Sequence, residues 1–174
     1  AGIAIYSMHT ALDNQALGVS HKMAEKLGLQ KTRVLLPKKG MVYKLQTYVP
    51  EDKAERVRVA LHEAGAGQIG AYSHCSFNVR GTGTFVGGEN SNPSVGTKEQ
   101  LEKVSEVLIS VIFQKHLRSK VLKALKKAHP YQEVAFELFQ LENEDHKIGM
   151  GMLGELNAPL PVQEFLNLLK DKFK

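Results

Sequence analysis

The sequence holds no tryptophan and a single cysteine, Cys75. No internal disulfide can form, and a cysteine-rich zinc module is excluded. No apolar run approaches the roughly 18 residues that a transmembrane helix needs. The N-terminus shows no basic stretch ahead of a long apolar one, so no signal peptide is read there and the expected setting is the cytoplasm. There is no His-Glu-x-x-His, no pair of adjacent histidines, no Cys-x-x-Cys and no P-loop. Charge of one sign is not dominant. The net charge of +5 permits anionic ligands without identifying one. What remains is ordinary globular material: 43% hydrophobic and 24% charged residues. A length of 174 residues allows one domain, or a small domain beside a piece of another.

The chain opens abruptly. Ile3, Ile5 and Tyr6 read as a short strand beginning almost at the first residue. That opening predicts an interior slice of a larger protein, with an edge strand after methionine removal as the alternative. Residues 8–14 read as a polar loop, and residues 16–29 as a helix stopped by Gly28. Residues 36–40, Leu-Pro-Lys-Lys-Gly, read as a linker. Residues 73–86 alternate enough for a hairpin, and residues 87–93 read as a turn-rich loop. Residues 148–153 predict a strand. Residues 162–173 predict a helix with Phe165, Leu166, Leu168, Leu169 and Phe173 as a buried stripe.

An internal repeat lies within residues 41–141. Offset by 64, Leu45–Val49 falls on Ile109–Phe113, while Val57, Ala60, Leu61 and Ala64 fall on Val121, Ala124, Leu125 and Ala128 with identical residue types. Each copy reads strand, helix, strand, with apolar spacings of three and four giving each helix one buried face. Two such copies predict a ferredoxin-like sheet with both helices on one side. The fold class expected is therefore α/β and α+β: residues 1–40 and 142–174 belong to one α/β domain, interrupted by a ferredoxin-like insert over 41–141.

Several residues carry candidate chemistry. Asp13 follows His9 by four positions after a strand, where a carboxylate and an imidazole suit a metal site. An N-cap is the competing role for Asp13. Gly65-Ala66-Gly67 and Gly81-Thr82-Gly83 are candidate anion loops, against a helix C-cap for Gly65 and hairpin shaping for Gly81 and Gly83. His74 and Cys75 form a possible soft-metal pair, against a plain surface strand. His129-Pro130-Tyr131 sits at a helix-to-strand turn, where His129 or Tyr131 can serve binding or only shape the turn. Residues 115–127 form a basic amphipathic helix. No aromatic stacking platform accompanies its charge, so nucleic acid is not an expected partner.

Three blocks then reach recognisable sequence. The first is Ile5-Tyr6-Ser7-Met8-His9-Thr10-Ala11-Leu12-Asp13. The second runs from Glu63-Ala64-Gly65-Ala66-Gly67-Gln68-Ile69-Gly70 through Cys75-Ser76-Phe77 to Gly81-Thr82-Gly83-Thr84-Phe85, joined by His129-Pro130-Tyr131 and Glu133-Val134-Ala135. The third is Gly149-Met150-Gly151-Met152-Leu153-Gly154-Glu155-Leu156. In this order the chain resembles the GTP cyclohydrolase 1 type 2-like family, also called Nif-three-like, in its longer form with an inserted domain.

The resemblance implies a host domain with a dinuclear metal centre. Asp13 matches the family's middle ligand, and His9 would lie beside it as a pocket residue. The family's other ligands are an early His-His pair and a late His-x-x-x-Glu; this sequence contains no His-His pair, and His146 is not followed by Glu at the fourth position. The missing ligands are expected before Ala1 and after Lys174. Two divalent metal ions per intact subunit are implied, with zinc, iron and manganese not distinguished. The activity implied is metal-assisted hydrolysis of a nucleotide-like small molecule, with the isolated chain inactive. The insert resembles trimer-forming proteins of the PII and copper-tolerance type. That implies self-association, a hexamer with trimeric insert contacts. The rival expectation is a non-enzymatic, oligomeric metal-binding or regulatory module.

Overall fold

The computed structural model describes residues 2–91 and 94–174, leaving out the side chains of His9 and Thr10. Expectations for His9, and for Asn92 and Pro93 in the turn-rich loop, therefore lie outside the described residues. The chain divides into two compact units: Ala1–Lys39 with Glu144–Lys174, and Gly40–Asn143. No helix among the described residues is long and apolar enough to cross a membrane.

The second unit is built from β2 (Val42–Pro50), α2 (Ala54–Glu63), β3 (Phe77–Val86), β4 (Leu101–Gln114), α3 (Arg118–Ala128) and β5 (Phe136–Leu141). The four strands make one sheet in the order β3-β4-β2-β5, and every neighbouring pair is antiparallel. This is the ferredoxin-like arrangement. Burial explains why the repeat folds this way. On α2, Ala54, Val57, Leu61 and Ala64 recur at helical spacing and are all buried. On α3, Val121, Leu125 and Ala128 do the same. They pack with Leu45 and Val49 of β2 and with Val107, Ile109, Val111 and Phe113 of β4. Each of these large side chains contributes about 1.5–3 kcal/mol by leaving water. Alternation then fixes the other face. Tyr48 and Leu108 sit between buried neighbours, Glu106 precedes buried Val107, and all three point away from the helices.

Two corrections concern this unit. Residues 73–86 are not a hairpin: β3 is one ten-residue strand paired along its whole length with β4, from Phe77↔Ser110 to Val86↔Leu101. His74 and Cys75 are not on a strand either. They lie in the loop before β3, with His74 at φ 59°. Gly65 does cap its helix. It takes φ 101°, its N–H donates to His62 O, and Ala66 N–H donates to Leu61 O. These are the paired bonds of a Schellman stop.

The first unit holds α1 (Val19–Lys26), β1 (Gln30–Lys38), β6 (Asp145–Glu155) and α4 (Val162–Lys172), with a 3-10 turn at His9–Asn14. Gly28 ends α1 by the same Schellman pair, with φ 70°. β1 and β6 form a two-stranded antiparallel sheet. Three expectations fail here. Residues 2–8 contain no strand, and Ile3, Ile5 and Tyr6 are exposed, because no strand among the described residues pairs with them. The supposed linker is the end of β1, which reaches Lys38. Pro37 is tolerated because the ladder is irregular between Pro37 and Lys38. Helix α4 forms, but none of its residues is fully buried: Phe165, Leu168 and Leu169 are half-buried, and Leu166 and Phe173 are exposed. Among the described residues, the buried apolar side chains of this unit are Ala24 and Val34.

Candidate functional site

Asp13 stands in the 3-10 turn, half-buried. It is not an N-cap, since α1 starts after Gly18 and draws no side-chain cap bond. Gly18 explains the placement of the turn. The Leu12 carbonyl oxygen occupies the space that a Cβ at position 18 would need. The turn also packs against β6 and α1. Among the described residues, no group of three or more His, Cys, Asp and Glu side chains could hold a metal ion. By themselves, then, these residues do not fit a dinuclear centre. Two His-x-x-x-Glu spacings went unread in the sequence: His129 to Glu133, in the turn after α3, and His21 to Glu25 on α1. The His21 and Glu25 side chains meet at 3.2 Å, with Lys22 Nζ also 2.7 Å from Glu25. This exposed cluster is a helix-surface ion pair, and Lys22 holds the Glu25 carboxyl below its ordinary range.

The other candidates belong to the ferredoxin-like unit and form two clusters. The first joins His74 and Cys75 to His62 of α2. The His62 and His74 rings meet edge to face, with centroids 4.9 Å apart. His62 Nε2 is buried and has no hydrogen-bond partner among the described residues. Burial, then His74, then Arg58 push the His62 pKa down. Gly67 closes this corner. Its N–H donates to Ile112 O at 2.7 Å, and its carbonyl accepts from Cys75 N–H at 2.9 Å. Gly67 therefore splices a loop onto β4 and is not free to cradle an anion.

The second cluster is a network around His129 and Tyr131. Pro130 follows the end of α3 and holds His129 in an extended conformation. The His129 ring is buried. Its Nδ1 accepts the Tyr131 N–H at 3.1 Å, which leaves Nε2 protonated to donate to Tyr48 O at 2.9 Å. Burial keeps His129 neutral by lowering its pKa. The Tyr131 hydroxyl donates to Glu106 Oε1 at 2.9 Å. Burial and then Glu106 push the Tyr131 pKa well above the usual phenol range. Tyr48 donates to Glu137 at 3.2 Å, which raises the Tyr48 pKa.

These residues edge a cleft of about 710 Å³ on the sheet face away from the helices. Gly81, Gly83, Phe85, Glu106 and Tyr131 line it. Glu106 and Tyr48 were not singled out in the sequence. The available signal was Gly81-x-Gly83 inside a strand, which marks a close approach. The structure shows the approach: the Glu106 carboxylate lies where a Cβ on Gly83 would be. Gly81 has open space instead. Neither glycine makes an anion loop, since both lie within β3.

A pH dependence follows from the two lowered histidines. Each binds a proton more readily in the unfolded chain than in the folded one. Their stabilisation should be complete above the ordinary histidine value of about 6.5 and should fall as pH drops toward the folded values. Urea midpoints at about pH 7.5 and about pH 5.5 check this, with a lower midpoint expected at the acid pH. The drop should shrink in a His129→Gln variant. An unchanged or higher acid midpoint would contradict it.

Comparison with known proteins agrees with the fold. A protein named GTP cyclohydrolase 1 type 2 homolog from Halalkalibacterium halodurans is 42% identical over 172 residues, covering 98% of this chain and 46% of its own length. A Bacillus subtilis protein of the same name is 40% identical over 171 residues, with the same shares covered. The crystal structure of a Bacillus cereus protein related to NIF3 matches with a TM-score of 0.82 and 43% identity, over 98% of this chain and 45% of that one. The chain thus spans about half the length of the relatives it matches. The family model for Duf34/NIF3 (NGG1p interacting factor 3) matches residues 1–174, so the chain belongs to the Duf34/NIF3 family.

Proposed function

We propose that the chain is one portion of a metal-dependent hydrolase that acts on a nucleotide-like small molecule. Asp13 supplies one ligand to a pair of divalent cations, with His9 beside it. The remaining ligands come from the half of the relatives' length that this chain does not span. The observation that carries this reading is the match, at 42% and 40% identity, to proteins named GTP cyclohydrolase 1 type 2 homolog. A half-buried carboxylate within a short turn also suits metal ligation chemically. No reaction step is assigned to the residues in hand, because the described residues do not by themselves make a cage.

The test is turnover of GTP with added zinc, manganese or iron. The 174-residue chain should show none above an Asp13→Ala control, whereas the intact protein should lose about a hundredfold or more on the same substitution. Turnover by the chain alone, or full activity of the intact Asp13→Ala protein, would overturn the reading.

A second reading concerns assembly, whether or not the protein is an enzyme. The sheet face away from the helices leaves Phe77, Val79 and Phe139 exposed at 71%, 44% and 46%. Apolar side chains gathered on one open sheet face favour packing against a further copy. Self-association through trimeric contacts of this unit, within a hexamer, is the arrangement we favour. Phe77→Glu with Val79→Glu should then shift sedimentation toward monomer. A monomeric parent chain at high concentration would argue against it.

A further inference from the structure

The cleft beside Glu106 opens on the sheet face that the assembly reading uses, with Val79 in its lining, but neither that reading nor the metal reading draws on its carboxylate. Its wall is one carboxylate held in a fixed place. Glu106 Oε1 accepts the Tyr131 hydroxyl, and the carboxylate lies against Gly83, where any side chain would displace it. No other donor among the described residues reaches this carboxylate. The charge beside it is not balanced locally. Glu133 also lines the cleft, and the nearby Arg80 directs its Nε to Glu51 at 2.8 Å. Aromatic surface adjoins the acid: the Phe85 and Tyr131 rings meet at 6.4 Å and 60°. The floor is bare at Gly81, where a Cβ would find no heavy atom within 4 Å. A volume of about 710 Å³ falls within the usual range for small-ligand sites.

We propose that this cleft binds a small organic cation with a flat N–H-bearing head, a guanidinium or amidinium group. Its N–H donors meet the Glu106 carboxylate, and its hydrophobic part lies over Gly81 against the Tyr131 and Phe85 rings. A planar two-donor head matches a carboxylate better than a point charge does. An aromatic wall adds attraction for a cation. An anion would meet Glu106 and Glu133 with only a paired arginine nearby.

Benzamidine is the probe, and neutral benzamide of nearly the same shape is its control. Titration calorimetry on the 174-residue chain should show benzamidine binding at least about tenfold tighter than benzamide, since the charge-assisted bonds are lost with the charge. Glu106→Gln, which still accepts from Tyr131, should remove that preference. Gly81→Val should abolish binding by filling the floor. Position 81 is open and has no left-handed backbone, so this variant should keep the parent circular dichroism and thermal midpoint. Equal binding of the two probes, no binding of either, or unchanged binding in Gly81→Val would overturn the proposal. A Gly81→Val variant that changed sedimentation while leaving benzamidine affinity intact would also overturn it, assigning the cleft to a second copy of the chain. None of these outcomes depends on metal or on GTP turnover.

Discussion

Leu125→Ala should destabilise the ferredoxin-like unit by about 2–5 kcal/mol. The side chain is fully buried on α3, packed within the cluster that includes Leu61 of α2 and Ile109 of β4. Truncation removes its transfer energy and leaves a cavity between two helices and a sheet that cannot all close in. Domains are stable by only about 5–15 kcal/mol, so this single change takes a large share. Lys126→Ala, one residue along on the exposed side of the same helix, should stay within about 0.5 kcal/mol. Urea unfolding followed by circular dichroism measures both. A loss below about 1 kcal/mol for Leu125→Ala would mean that α3 does not seat on this core.

The second large effect is expected at Gly67. It takes φ 80°, and an added Cβ would lie 2.7 Å from Cys75 O and 2.9 Å from Cys75 N. Both neighbours are backbone, so neither can swing aside. Alanine there costs about 1–2 kcal/mol for the left-handed conformation. Displacing the loop adds about 1–3 kcal/mol. The bonds to Ile112 and Cys75 would stretch together, and the His62–His74 ring pair would separate. Gly67→Ala should therefore lower the urea midpoint and also shift the His74 ring resonances. Gly70→Ala is the control, with φ 58° but no atom within 4 Å, so it should cost only the conformational part. Equal losses at the two positions would show that the Cys75 contact is not what demands glycine.

What the sequence revealed follows the range of the interactions. The repeat was legible because four identical apolar positions per helix repeat the same local demand, a buried stripe over a sheet. The Gly28 and Gly65 stops were legible because a Schellman turn is local. The strand expected at Ile3–Tyr6 was not realised, since a strand exists only through a partner and none of the described residues supplies one. The α4 stripe is realised only in part: its periodicity is real, but Phe165, Leu168 and Leu169 are half-buried while Leu166 and Phe173 stay exposed. Glu106 was hidden because its meaning lies across strands. Only the pairing of Gly81 with Glu106, and the reach of Tyr131 from a turn 25 residues on, give that carboxylate a place. Asp13 could be matched to a motif, yet spacing alone could not say what else converges on it.

The exposure within the first unit fits the same picture. Leu17, Leu36, Met150 and Val162 are 72%, 63%, 57% and 78% exposed, while Ala24 and Val34 are its buried apolar side chains. A two-stranded sheet with so little buried surface is marginal by itself. The ferredoxin-like unit, with its continuous core, is the sturdier part.

The most direct measurement is the number of metal ions that the chain retains. The purified 174-residue protein would be loaded with zinc or manganese, passed through a desalting column and analysed for metal and protein together. If Asp13 is one ligand of a centre completed elsewhere, fewer than one ion per chain should remain, and Asp13→Ala should lower even that. Two ions held per chain would place a complete dinuclear centre within these residues and contradict the account.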